Sequence, residues 1–185
     1  MIISVIGTIG SGKDTVAKFF MKHYKFKKIT MSDFLRQIEK HRKLKPTRAN
    51  LRKLQYEIRQ RYGEDILMDM LLSEIVERNL KNVVVAGLRT PQQIDFAKKK
   101  LNSKIMFVDA KPETRFVRLK KRARQGDPLD YEKFLHEDSV ENAMFNLNIG
   151  KKKADFFLDN SKDQKFLEKQ LKKIAKKLRF KSSSL

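Results

Sequence analysis

The feature that most limits what this chain can fold into is a short apolar strand followed by a glycine-rich turn and then a lysine. The apolar run at residues 2–6 leads directly to Gly7, and Gly12 and Lys13 follow at the spacing of a phosphate-binding loop. Glycine lets the backbone curl so that N–H groups converge on phosphate oxygens, and the next helix turns its positive end towards the same anion. The sequence therefore predicts strand, loop and helix; a glycine turn with a solvated Lys13 is the alternative.

Apolar runs and helical patterns alternate along the rest of the chain, which favours a parallel sheet with helices on both faces. Strands are predicted at 2–6, 26–31, 82–86, 104–109 and 155–158. Helices are predicted at 13–24, 33–43, 48–62, 64–79, 91–101, 112–124, 131–143 and 163–180. Asp163 is expected to cap the last helix, and Pro91 and Pro112 suit first-turn positions. A single α/β domain over 1–185 follows, with 182–184 as a loose tail.

The residue after Lys13 departs from the usual loop pattern, in which a serine or threonine binds Mg²⁺. Asp14 stands at that position, and a hard cation accepts its carboxylate readily. Alternatively, the hydroxyl of Thr15 binds the ion and Asp14 only caps the helix. We favour Asp14 as the ligand.

The net charge of +21 comes from 43 Lys and Arg against 22 Asp and Glu. A positive charge of this size attracts polyanions. Lysines that are spread along the chain also fit a basic surface without a dedicated partner. The absence of cysteine excludes disulfides and thiolate chemistry and fits a reducing compartment. No run approaches the ~20 apolar residues of a membrane span. We expect a soluble, cytoplasmic monomer or homodimer that does not bind membranes.

The phosphate-loop residues Thr8-Ile9-Gly10-Ser11-Gly12-Lys13 resemble the loop of dephospho-CoA kinases, and Gly-Lys-Asp resembles that of some deoxynucleoside monophosphate kinases and of phosphomevalonate kinase. The order of later segments is similar to that in adenylate-kinase-related nucleoside monophosphate kinases. These segments are MSDFLR at 31–36, RQRYG at 59–63, VVVAGLRT at 83–90, DAKPETRFVRL at 109–119 and ADFFLDN at 154–160. The resemblance implies a P-loop kinase fold, a three-layer sandwich with five parallel strands in the order 2-3-1-4-5. It also implies an acceptor-binding helical insert near 33–80 and a lid near 115–145.

The same resemblance implies a role for each part of the site. ATP binding is assigned to Gly7, Thr8, Gly10, Ser11, Gly12, Lys13, Asp14, Thr15 and, beside the base, Asn160. Acceptor binding is assigned to Asp33, Arg36, Arg59 and Arg89. Catalysis is assigned to Lys13, Asp33, Arg89, Arg118 and Arg122.

Some of these roles have alternatives. Asp33 would orient the attacking oxygen or help to hold Mg²⁺, and it also suits the N-cap of its helix. Arg89 at the end of a central strand suits a phosphate contact, with a solvated arginine as the alternative. Arg115, Arg118 and Arg122 share one predicted helix face, with Arg124 beyond it. By resemblance this face closes over the γ-phosphate as a lid; a solvated basic face is the alternative.

One departure concerns the third strand, where similar kinases often carry a carboxylate near Mg²⁺. Val85-Ala86-Gly87 has none, so Asp14, Asp33 or Asp109 does that work, or turnover is weak. The sequence predicts Mg²⁺–ATP-dependent phosphoryl transfer to a small nucleotide-type acceptor, first a nucleoside or deoxynucleoside monophosphate and second dephospho-CoA. A nucleic-acid-associated ATPase or nucleotide-binding regulator is the alternative from another class.

Overall fold

A parallel sheet lies at the centre of the computed structural model, which describes residues 1–63, 65–123, 127–128 and 130–180. In those residues the strands are β1 (Ile2–Gly7), β2 (Lys27–Thr30), β3 (Val83–Ala86), β4 (Lys104–Asp109) and β5 (Phe156–Asp159). Their order is β2-β3-β1-β4-β5, and every neighbouring pair is parallel. The predicted fold class and strand order are therefore confirmed.

The first strand is central, and the direction of the connections changes there. Strands β2 and β3 lie on one side of β1, and β4 and β5 lie on the other. All four residues of β3 are buried, as expected for a parallel strand that is covered on both faces. Ligands of open α/β sheets bind beyond the carboxyl ends of the strands at such a switch point, which is where the loop after β1 lies.

Helices cover both faces of this sheet. They are α1 (Lys13–Tyr24), α2 (Met31–His41), α3 (Arg48–Tyr62), α4 (Ile66–Glu77), α5 (Pro91–Leu101), α6 (Pro112–Arg122), α7 (Tyr131–Met144), α8 (Leu147–Lys153) and α9 (Gln164–Lys177). One buried apolar cluster joins α2, α3, α4 and α5 to the sheet, and the other joins α1 and α9 to its opposite face. Among the described residues, no helix is both long and apolar enough to cross a membrane.

The start of α2 differs from the predicted one. The helix begins at Met31 because Thr30 is its N-cap: the Thr30 side chain accepts a hydrogen bond from Asp33 N at 3.2 Å. In return, Asp33 Oδ2 accepts one from Thr30 N at 2.8 Å. The interpretation of Asp33 as the N-cap is thus wrong, since it is the third residue of a capping box. The N-cap predicted at Asp163 is confirmed, and so are the first-turn positions predicted for Pro91 and Pro112.

Helix α8 is absent from the predicted elements. It is seven residues long and contains a glycine, so its local sequence carries little helical signal. Packing explains the glycine: a Cβ at Gly150 would lie 3.2 Å from Ile94 Cδ1 and 3.5 Å from Ile6 Cδ1. Tertiary contacts with β1 and α5 therefore select this helix. Three predicted features lie outside the described residues: the start of the helix predicted at 64–79, Arg124, and the tail at 182–184.

Candidate active site

The loop between β1 and α1 is held so closely by its neighbours that none of its three glycines could carry a side chain without displacing a neighbouring atom. Gly7 has φ +143°, and an added Cβ would lie 1.9 Å from the carbonyl oxygen of Val108 on β4. Gly12 has φ +99°, and a Cβ there would lie 2.3 Å from Nδ2 of Asn160. Glycine tolerates both positive φ and close approach, so the loop is clamped between β4 and the segment after β5.

Lys13 lies at the start of α1 and folds back over the loop. Its Nζ donates hydrogen bonds to the carbonyl oxygens of Gly7 and Thr8, at 2.8 and 2.6 Å. Although the side chain as a whole is half-buried, burial of its ammonium lowers the pKa of Lys13 to about 8. Glu141 raises this pKa and Arg89 lowers it, in that order of size after burial. A bound phosphate would stabilise the desolvated charge and raise the pKa again.

Asn160 and Asp109 support the loop from the side of β4. Asn160 Nδ2 donates to the carbonyl oxygen of Ser11 at 2.7 Å, and its backbone N–H donates to Asp109 O at 2.7 Å. Asp109 Oδ1 accepts hydrogen bonds from Thr8 Oγ1 at 2.8 Å and from Ala110 N at 2.9 Å. The structure thus places Asn160 against the phosphate loop itself, and it gives Asp109 a loop-ordering contact.

Arg115 occupies a different place from the one expected of a lid residue. Its side chain is only 4% exposed, and its Nη1 and Nη2 atoms contact the Asp138 carboxylate of α7 at 2.5 and 2.9 Å. It also donates to the carbonyl oxygens of Ala110 at 2.9 Å and Ile9 at 3.2 Å. Burial and these bonds occupy the guanidinium, so Arg115 joins α7 to the phosphate loop instead of facing a nucleotide.

Arg118 and Arg122, the other two arginines of that face, do line the cleft over the loop, together with Gly10, Gly12, Lys13, Asp14 and Leu119. Arg122 contacts Asp127 at 2.6 and 3.0 Å. Arg118 donates to Asn160 Oδ1 at 3.5 Å, while its Nη1 is buried with no partner among the described residues. Burial lowers the pKa of Arg118. The hydroxyl of Ser11 is likewise buried with no described partner. A bound anion would satisfy both groups.

The fit of Mg²⁺ to this site rests on oxygen donors beside the cleft. Asp14 lines the cleft and its carboxylate contacts Lys28 Nζ at 2.7 Å; the N-cap of α1 is Gly12, so the capping alternative for Asp14 is not observed. Thr15 is exposed on the first turn of α1. Among the described residues, no three acidic or histidine side chains converge. Mg²⁺ is often held by one or two protein oxygens with phosphate and water, so the residues present fit it.

Arg89 follows β3 and contacts α7. Its Nη1 donates to Glu141 Oε1 at 3.1 Å, and its guanidinium lies 4.9 Å from the centre of the Phe145 ring. Glu141 was absent from the residues predicted from sequence, yet it is the largest favourable charge acting on Lys13. No local motif marks it, because Glu141 is far from the loop in sequence and meets it only in the folded chain, where α7 packs on α6 and contacts Arg89.

The remaining predicted acceptor residues do not line the cleft over the loop. Asp33 is exposed on α2 with its carboxylate in the capping box, Arg36 is exposed on the same helix, and Arg59 is half-buried on α3. None of the three lines the cleft over the phosphate loop. The structure therefore brings together the predicted ATP residues with Arg118, Arg122 and, through Glu141, Arg89.

Comparison with known proteins agrees with this geometry. A family model described as an AAA domain matches residues 6–136. A UPF0200 protein of Staphylothermus marinus is 31% identical over 159 residues, which cover 86% of this chain and 82% of that protein. A UPF0200 protein of Hyperthermus butylicus is 29% identical over 178 residues, covering 96% and 95%.

Solved structures show the fold. Shikimate kinase from Bacteroides thetaiotaomicron superimposes with a TM-score of 0.59 at 18% identity, covering 97% of this chain and 98% of that one. The protein TT1252 from Thermus thermophilus gives a TM-score of 0.63 at 22% identity, covering 96% and 97%. These two likenesses show that the chain has the P-loop kinase fold. The chain accordingly belongs to the family described by the AAA-domain model and to the UPF0200 proteins.

Proposed function

We propose that this protein transfers the γ-phosphate of ATP to a small nucleotide-type acceptor, with a nucleoside or deoxynucleoside monophosphate as the first choice. One observation carries the proposal: buried polar groups of Ser11 and Arg118, without described partners, surround a clamped loop that also holds the desolvated Lys13. Unpaired buried polar groups are rare in proteins, and triphosphate oxygens suit all three.

The residues divide the work of phosphoryl transfer between them. Lys13 would exchange its two carbonyl partners for β- and γ-phosphate oxygens, and Arg118 and Arg122 would offset charge on the transferred group. Asp14, or the hydroxyl of Thr15, would hold Mg²⁺, which supplies further charge neutralisation when bound. The acceptor oxygen forms a bond to the γ-phosphorus while the bond to the bridging oxygen breaks, and ADP leaves with that electron pair.

Arg89 is the proposed acceptor contact. The Arg89 side chain is 53% exposed, and its guanidinium contacts the Glu141 carboxylate through Nη1. An acceptor phosphate could therefore replace that carboxylate. A dianionic phosphate already carries the attacking oxygen and needs no base.

Glu141 is also the specific observation that favours a second candidate, a hydroxyl acceptor such as dephospho-CoA. A hydroxyl must lose a proton as it attacks, and a carboxylate next to Arg89 and in the field of Lys13 could accept it.

The experiment is ADP release from Mg²⁺–ATP with each ribonucleoside and deoxyribonucleoside monophosphate and with dephospho-CoA. Stimulation by a monophosphate supports the first choice, and stimulation by dephospho-CoA alone selects the second. The kinase proposal fails if no acceptor raises ADP release above the rate with ATP alone. Glu141→Gln tests the role of this carboxylate in the second candidate function. Its charge-matched control is Glu137→Gln, because Glu137 lies one turn earlier on α7.

A further inference from the structure

Helix α9 carries an unbalanced charge on its outer face. At 3.6 residues per turn, five of its lysines fall within an arc of about 100°, opposite the buried Leu167, Leu171 and Ile174. All five are exposed: Lys165, Lys169, Lys172, Lys173 and Lys176. The helix has one acidic residue, Glu168, which accepts a hydrogen bond from Gln164 at 2.9 Å.

Most lysines of the described chain form no ion pair, and the α9 face differs from the rest because five of them share one arc of a single helix. Lys28 contacts Asp14, Lys98 contacts Asp155 and Lys153 contacts Asp95, at 2.7, 3.1 and 2.5 Å. No ion pair within the described part of the chain involves any of the five α9 lysines. Like charges three and four residues apart destabilise a helix, and this face contains several such pairs. Its arrangement therefore suits an anion outside the chain.

The dimensions of the face suit a nucleic-acid backbone. From Lys165 to Lys176 the helix rises about 16 Å, a length over which one strand of a duplex presents about five phosphates. Helix α1 packs beside α9 in the same apolar cluster, and its exposed Lys18 and Lys22 widen the surface. Regularly spaced lysines meet regularly spaced phosphates without reading the bases.

A membrane surface is a poorer match for this helix. Membrane-surface helices insert an apolar face between lipids, whereas the apolar face of α9 is already buried against the sheet. Gln170 fixes the helix further, since its amide donates to the Asp159 carbonyl at 2.7 Å and accepts from the Asp159 N–H at 3.2 Å. Only the charged side of α9 is available to a partner.

We propose that the lysine face of α9, with Lys18 and Lys22 beside it, binds the phosphate backbone of double-stranded nucleic acid without sequence preference. The interaction is electrostatic, so its affinity falls steeply with salt. It lies on the α1/α9 side of the sheet and does not depend on the identity of the kinase acceptor.

The test compares two full-length variants that each lose four positive charges. The first carries Lys165→Gln, Lys169→Gln, Lys172→Gln and Lys176→Gln, and the control carries Lys99→Gln, Lys100→Gln, Lys133→Gln and Lys152→Gln, exposed lysines scattered over three other helices. Fluorescence anisotropy measures binding to labelled RNA and DNA duplexes of about 20 base pairs, between about 50 and 200 mM salt.

The α9 variant should lose about 100-fold in affinity, and on duplex DNA the slope of log affinity against log salt should fall by up to about 3.6, because each of the four lost phosphate contacts contributes about 0.9. The control should lose far less, and the RNA and DNA arms show which duplex is preferred. Circular dichroism checks that both variants fold. The proposal is overturned if the wild-type protein does not bind either duplex, if both variants lose affinity equally, or if anionic phospholipid vesicles or a polyglutamate peptide bind more tightly than the duplexes.

Discussion

Replacing Asp138 with asparagine removes the anion that faces the buried Arg115 guanidinium. The two side chains are 11% and 4% exposed, so water cannot take over the lost interaction. Removing one partner of a buried ion pair lowers the free energy of unfolding by about 3–5 kcal/mol. We expect about 3 kcal/mol for Asp138→Asn, since Arg115 keeps its hydrogen bonds to Ala110 and Ile9. With a urea m-value of about 2 kcal/mol per molar, the unfolding midpoint should fall by ~1.5 M.

Urea unfolding followed by circular dichroism measures this midpoint. The matched control is Glu57→Gln, which breaks the exposed contact with Arg42 at 2.8 Å and should cost under about 1 kcal/mol. The double variant Arg115→Met with Asp138→Leu should recover most of the loss, because it leaves no buried charge unpaired. A midpoint shift for Asp138→Asn no larger than that for Glu57→Gln would refute the reasoning.

Three further predictions concern the loop and its neighbours. Lys13→Ala should keep the fold and reduce phosphoryl transfer by ~10²-fold. Because the pKa of Lys13 is lowered to about 8, the affinity of the wild-type protein for ATP should fall as pH rises through 8, and a Lys13→Arg variant should not show this fall. Asp14→Asn should raise the Mg²⁺ concentration for half-maximal rate; superimposable titrations would assign the ion to Thr15 or another oxygen. Arg89→Ala should raise the acceptor KM, lower kcat, or do both, while the affinity for ATP alone stays nearly unchanged.

The fold could be predicted because its signals are local and repeated. The strand, the glycines and Lys13 are contiguous, and the alternation of strands with helices limits the sheet to a parallel one. Boundaries were less certain, as at α2, where both Thr30 and Asp33 suit an N-cap and only the hydrogen bonds choose between them. Helix α8 forms because of packing around Gly150, which sequence propensity does not register.

The site could be predicted only where its residues belong to one local motif. Helical spacing places Arg115, Arg118 and Arg122 on the same side of α6, but spacing alone does not say which of them is buried. That outcome depends on Asp138, which lies 23 residues after Arg115 in the chain. Glu141 belongs to the same helix as Asp138, and it lies against Arg89, which is 52 residues earlier in the chain.

A further consequence concerns the third strand, which ends at Ala86 without a carboxylate. Glu141 supplies an acidic group near Lys13 from a different element, held there by its contact with the first arginine after that strand. A carboxylate placed in this way moves with α7, which contacts α6 through the pair of Asp138 with Arg115 and also through Tyr131 and Phe134. If Asp138→Asn loosens α7, the charge next to Lys13 should weaken and the pKa of Lys13 should fall further, because Glu141 is the group that raises it most. Such a fall would couple the stability of the protein to the electrostatics of the loop through one buried ion pair, whereas an unchanged pKa of Lys13 in Asp138→Asn would show that the other contacts of α7 keep Glu141 in place.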